Sequence, residues 1–98
     1  MNTITITSKT NKGKEALRIS VSKSLTDFVR NKKKYEEKGV WFKPLSADPV
    51  SVQIQYLDDK VAAQNDPNKL VELIHLDMSS YGATKEDYEV VVEWTSRQ

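Results

Sequence analysis

The sequence predicts an α+β fold in which an antiparallel sheet of four to six strands packs against one main helix, residues 24–38. Two observations support this. Several segments alternate apolar and polar residues with the two-residue period of a half-buried strand, and one segment places apolar residues at helical spacing. The length of 98 residues suffices for one core, and the low hydrophobic content of 38% predicts that this core is thin. We therefore expect a single α+β domain spanning residues 1–98.

The first strand is predicted at the N-terminus, where Ile4 and Ile6 alternate with threonines over residues 3–7. A similar alternation follows over residues 15–22. The segment between them, residues 10–14, is polar and contains Gly13, which is typical of a turn. Together these features predict an antiparallel β-hairpin.

The main helix is predicted to begin at Ser24, which can act as an N-cap, and to stop at Gly39. Lys32 and Glu36 would fall on its apolar face. Either these two side chains pair at the rim of the core, or the regular helix loosens near residue 31. The apolar face is formed by Leu25, Phe28 and Val29.

The C-terminal half predicts further strands. Residues 50–56 alternate clearly, and residues 88–94 contain three consecutive valines. Residues 40–42 form a short apolar run before Pro44, which fits either a short edge strand or a packing segment. Residues 70–78 fit two patterns. Asp66 as N-cap with Pro67 in the first turn favours a helix, but Asp77 would then lie in its apolar sector, so we interpret the segment as a strand.

The composition predicts a protein without catalytic machinery. There is no cysteine, so disulfides, thiolate metal sites and cysteine nucleophiles are excluded, and a cytoplasmic location is favoured. The single histidine, His75, lies among apolar residues and is interpreted as structural. Asp58 and Asp59 lack the ligand spacing of a calcium loop. No apolar run approaches the length of a membrane span. We therefore predict no enzyme, no catalytic residue, no metal, no cofactor and no membrane partner.

The charge distribution is the main functional signal. Residues 1–38 contain ten basic and four acidic residues, whereas residues 39–98 contain five basic and ten acidic residues. Basic residues followed by aromatic ones can contact an acidic surface or phosphates. The alternative is a solvated helix face with the aromatic side chains in the core. The candidate partner-binding residues are Arg30, Lys33, Lys34, Lys38, Trp41, Phe42 and Tyr81.

The leading hypothesis is a non-enzymatic protein-binding module that acts as a small inhibitor or regulator of a larger protein. In composition the Lys-rich, Cys-free chain resembles small accessory proteins of phages and mobile elements. The alternative is a nucleic-acid-binding protein that uses the basic patch at residues 30–38, although a pI of about 7.9 is low for that class. An edge strand could also pair two copies into a homodimer.

Overall fold

The computed structural model describes residues 2–95, and it confirms the α+β class and the antiparallel sheet. Four strands hydrogen-bond in the order β2-β3-β1-β4, and each neighbouring pair is antiparallel. In chain order the elements are β1 (Asn2–Ser8), α1 (Asn11–Arg30), α2 (Lys32–Glu37), β2 (Val40–Ala47), β3 (Val50–Tyr56), α3 (Asp59–Ala62), α4 (Pro67–Ser80), a 3₁₀ helix (Lys85–Asp87) and β4 (Tyr88–Glu93).

Along the chain, α1 connects β1 to β2, and α4 connects β3 to β4. In the sheet, β3 lies between β1 and β2, and β1 lies between β3 and β4. This is the β-α-β-β-α-β order of the ferredoxin-like, or split βαβ, arrangement. The central strands are therefore β1 and β3, and the edges are β2 and β4.

The two faces of the sheet differ in polarity. The register pairs Ile4 with Ile54 and Ile6 with Val52, and this apolar face packs under the helices. The opposite face presents the alternate residues of β1, β3 and β4. These are Thr3, Thr5, Thr7, Ser51, Gln53, Gln55, Glu89, Val91 and Glu93.

The predicted hairpin is wrong, because residues 11–30 form the long helix α1. Thr10 caps this helix by accepting a hydrogen bond from the Gly13 amide at 3.0 Å. Leu17 and Val21 are four residues apart, so they share the face toward the sheet, whereas Ile19 is 40% exposed. The alternation over residues 15–22 therefore arises within a helix, and Ser24 lies inside this helix rather than at its start.

The predicted helix over residues 24–38 is present but interrupted. Helix α1 ends at Arg30, and the separate short helix α2 follows. Asn31 occupies the break, and its side-chain amide donates to the carbonyl oxygen of Asp27 at 3.1 Å and to its carboxylate at 2.9 Å. Asn side chains compete in this way with regular helix bonds. The loosening near residue 31 is thus confirmed.

The strand interpretation of residues 70–78 is also wrong, because the segment belongs to helix α4. The capping signal determines the outcome: Asp66 accepts from the Asn68 amide at 2.9 Å, and Pro67 occupies the first turn. Asp77 does lie beside apolar residues, where it accepts a hydrogen bond from Ser20.

The strands predicted at residues 40–42, 50–56 and 88–94 correspond to β2, β3 and β4. Strand β2 is longer than predicted and contains Pro44, where the pairing with β3 shifts register before Ser46. A proline and a bulge both discourage pairing with another chain, so β4 is the more regular of the two edges. No helix within residues 2–95 is long and apolar enough to cross a membrane.

Candidate interaction surface

One end of the molecule combines exposed cations with a packed group of aromatic rings. We call this region the basic corner, and define it as residues 27–43: the last turn of α1, all of α2 and the first half of β2. Besides Asp27, the corner contains six basic and two acidic side chains, and all eight are exposed. These side chains are Arg30, Lys32, Lys33, Lys34, Lys38, Lys43, Glu36 and Glu37.

The aromatic rings of the basic corner pack around Phe28. The Phe28 ring is nearly buried, with 7% of its surface exposed, and its centroid lies 5.1 Å from that of Trp41 in an edge-to-face arrangement. The centroid of the Tyr35 ring lies 5.4 Å from that of Phe28, and the two rings are tilted. Because both arrangements are favourable for aromatic pairs, Phe28 fixes the position of Trp41. Trp41 itself remains 37% exposed.

A hydrogen-bond network on Asp27 holds the two helices of the corner together. Its carboxylate accepts from the Tyr35 hydroxyl and from the Asn31 side chain. The hydrogen bond to Asp27, followed by partial burial, raises the pKa of Tyr35 above its usual value. Tyr35 therefore stays protonated and bonded at neutral pH, and α2 is tied back onto α1.

Six of the seven predicted site residues lie in the basic corner, and Tyr81 lies elsewhere. Phe42 is half-buried and packs against the main core cluster. Tyr81 follows α4 and also packs against that cluster, with the Lys23 ammonium 5.0 Å from its ring centroid. The alternative that places Trp41 and Phe42 in the core thus describes Phe42 better than Trp41, and Tyr81 packs against the core although its position in the sequence suggested an exposed loop. The ring contact between Phe28 and Trp41 joins residues thirteen positions apart, and the spacing of apolar residues in the sequence did not indicate it.

His75 has a different environment from the basic corner. Its Nδ1 atom lies 2.5 Å from the Tyr88 hydroxyl, and the two rings pack at 5.6 Å between centroids. Burial, and to a lesser degree the charge of Lys85, lowers the pKa of His75 below its usual value. Within residues 2–95 no group of three or more potential ligands is arranged to hold a metal ion.

The polar face of the sheet offers little to a nucleic acid. On the central strands β1 and β3 this face carries no aromatic side chain, and Glu89 and Glu93 place negative charge along β4. On the edge strand β2, Trp41 and Lys43 pair with Gln55 and Gln53 and share this face, so its aromatic and basic side chains belong to the basic corner. Sheets that bind single-stranded RNA usually stack bases on aromatic side chains of the central strands. The arrangement here favours the basic corner as the candidate contact surface.

Comparison with known proteins yields no match: no family model, no curated protein and no solved structure is significantly similar to this chain.

Proposed function

We propose that this chain is a non-enzymatic protein-binding module, a small inhibitor or regulator of a larger protein, and that it binds its partner through the basic corner. The observation that supports this best is the partly exposed Trp41, which packs against Phe28 within a segment that carries six exposed cations. Tryptophan and arginine are the residues most often found at energetic hot spots of protein interfaces. A preorganised ring also loses little side-chain entropy on binding.

The charge of the basic corner suggests the chemistry of the partner. A surface with six cations, three acids and an aromatic centre complements an acidic surface that contains an apolar recess. The cations would accelerate association, and Trp41 would fill the recess. Nucleic acid is the competing partner, because the same cations can contact phosphates.

Affinity capture from a host lysate, after nuclease treatment and with identification by mass spectrometry, tests this proposal. Two variants weaken the corner: Trp41→Ala, and the double variant Lys33→Glu with Lys34→Glu. The matched control is Lys9→Glu with Lys69→Glu, which makes the same charge change at two exposed lysines outside the corner. Circular dichroism checks that each variant folds.

We expect a stoichiometric protein that the wild type and the control retain and that both corner variants lose. Equal retention by all four proteins would mean that the partner binds elsewhere. Retention that nuclease abolishes, and that falls steeply with added salt, would replace the protein partner with a nucleic acid.

A further inference from the structure

A cavity of about 400 Å³ lies between α1, α4 and the apolar face of the sheet. Its floor is formed by the central strands, and α1 and α4 form its two walls. Leu73 lies at its mouth and is 61% exposed, so the cavity opens to the surface. The apolar side chains of the floor are Ile4, Ile6, Val52, Ile54 and Tyr56 of the central strands and Phe42 of β2. Ile4 and Val52 lie fully buried beneath the floor, whereas Phe42 and Ile54 are partly exposed.

The cavity exists because α1 places two serines where larger side chains would fill the space. Leu17, Val21 and Phe28 lie on the face of α1 that packs toward the sheet. Ser20 and Ser24 occupy the same helical sector, one turn apart, and both line the cavity. Small side chains at these positions leave the walls apart.

A carboxylate accompanies the serines at the wall of the cavity. Asp77 of α4 lines it, and one of its oxygens accepts a hydrogen bond from the Ser20 hydroxyl at 2.6 Å. Among the described residues, no Lys or Arg lies within salt-bridge distance of Asp77. The nearby Lys23 instead holds its ammonium over the Tyr81 ring. The charge of Asp77 acts on the Lys23 ammonium from a distance, but among the described residues no direct ion pair covers this exposed carboxylate, so a ligand cation can reach it.

We propose that this cavity binds a small amphipathic amine, with its apolar body over the sheet and its ammonium group at Asp77 and the two serines. The volume of the cavity lies in the range of small-molecule sites. An apolar lining with a few polar groups is also typical of such sites. The carboxylate complements a cation and repels an anion. The cavity shares only Phe42 with the basic corner and does not depend on its partner.

Three probes that share one alkyl chain test the proposal: octylamine, octanol and octanoate. Binding is followed through the methyl NMR signals of Ile4, Val52 and Ile54 and by calorimetry. We expect octylamine to shift these signals saturably with one site per chain, about tenfold more tightly than octanol. Octanoate should bind more weakly than octanol.

Two variants locate the site. Asp77→Asn should remove the advantage of octylamine over octanol, whereas Glu72→Gln, the same change at an exposed position of α4 outside the cavity, should preserve it. Ser24→Leu should occupy part of the cavity and weaken the binding of octylamine and octanol alike, whereas Ser24→Ala should leave the binding of octanol unchanged. NMR spectra confirm the fold of each variant.

Four results would overturn the proposal. The first is a set of methyl shifts that do not saturate with octylamine, and the second is octanoate that binds as tightly as octylamine. The third is a Glu72→Gln variant that loses the advantage of octylamine over octanol as fully as Asp77→Asn does. The fourth is a set of methyl shifts that depend on protein concentration alone. The last result would mean that a second copy of the chain occupies the cavity.

Discussion

Gly13 lies against the main-chain carbonyl of Asp87 so closely that a Cβ atom at position 13 would stand 1.9 Å from the carbonyl oxygen. The same oxygen accepts hydrogen bonds from the amides of Lys9 and Thr10, at 2.9 and 3.3 Å. The first turn of α1 is therefore joined directly to the segment that leads into β4. Only a residue without a side chain permits this approach.

Gly13→Ala should destabilise the fold by about 1–3 kcal/mol, because the new methyl group must displace the main chain of Asp87. The loss should appear although alanine is favoured over glycine in a helix by about 1 kcal/mol. Urea unfolding measures the difference. Ser22→Ala, at an exposed position of the same helix, is the control and should be neutral or slightly stabilising. A more stable Gly13→Ala variant would contradict the close approach.

Asp87 should support the fold at neutral pH and lose this effect in acid. Its carboxylate accepts from the Thr84 amide at 2.8 Å and from the Thr10 hydroxyl at 2.7 Å, and these bonds lower its pKa below the ordinary value of 3.8. Because the unfolded chain binds this proton more readily, the contribution is complete above about pH 4 and is lost as the pH falls through the folded pKa. Thermal melts of Asp87→Asn should show a flatter acid limb than the wild type.

The exposed neighbour Glu86 provides the matched control for this experiment. Glu86→Gln should keep the acid limb of the wild type. An Asp87→Asn variant with an unchanged acid limb would show that the bonds from Thr10 and Thr84 do not favour the charged carboxylate.

The strands were predictable because their pattern is local. Ile4 and Ile6 alternate with threonines, and within residues 50–56 the apolar side chains alternate with a serine and two glutamines. Each strand therefore has one apolar face. The two errors both fall on helices whose apolar positions also fit alternation. In α1 the exposed Ile19 completed a false strand pattern between Leu17 and Val21. The capping contacts of Thr10 and Asp66 determine the outcome in the structure.

The candidate sites were predictable only in part, because they depend on long-range packing. The lysines of the basic corner are adjacent in sequence, so their clustering was visible in advance. The contact of Phe28 with Trp41, and that of Ser20 with Asp77, join residues 13 and 57 positions apart. Asp77 did stand out as a charge in an apolar helical sector, and this was the one sequence signal of the cavity.

His75 should titrate below its ordinary pKa of 6.5, because burial favours the neutral ring and Lys85 adds repulsion. NMR of the ring protons measures the midpoint directly. Its neutral form supports the fold, so this contribution is complete above about pH 6.5 and is lost as the pH falls through the lowered value. Lys85→Gln should raise the midpoint slightly, and Lys69→Gln, on the exposed side of α4, should leave it unchanged. A midpoint at or above 6.5 in the wild type would contradict the burial of this ring.

Phe28→Leu should release Trp41 from its fixed position. The substitution removes the edge-to-face contact at 5.1 Å, so we expect a loss of about 1–2 kcal/mol in stability and a Trp41 ring more accessible to solvent. Acrylamide quenching measures the accessibility in a Trp94→Phe background, which leaves Trp41 as the one fluorophore of its kind. That background is suitable because the buried Trp94 Nε1 has no hydrogen-bond partner among the described residues. Val29→Ala, at the adjacent position of α1 with 66% exposure, should leave the quenching unchanged. If Phe28→Leu also left it unchanged, Trp41 would be held by other contacts, and the preorganisation that favours the basic corner as an interface would not depend on Phe28.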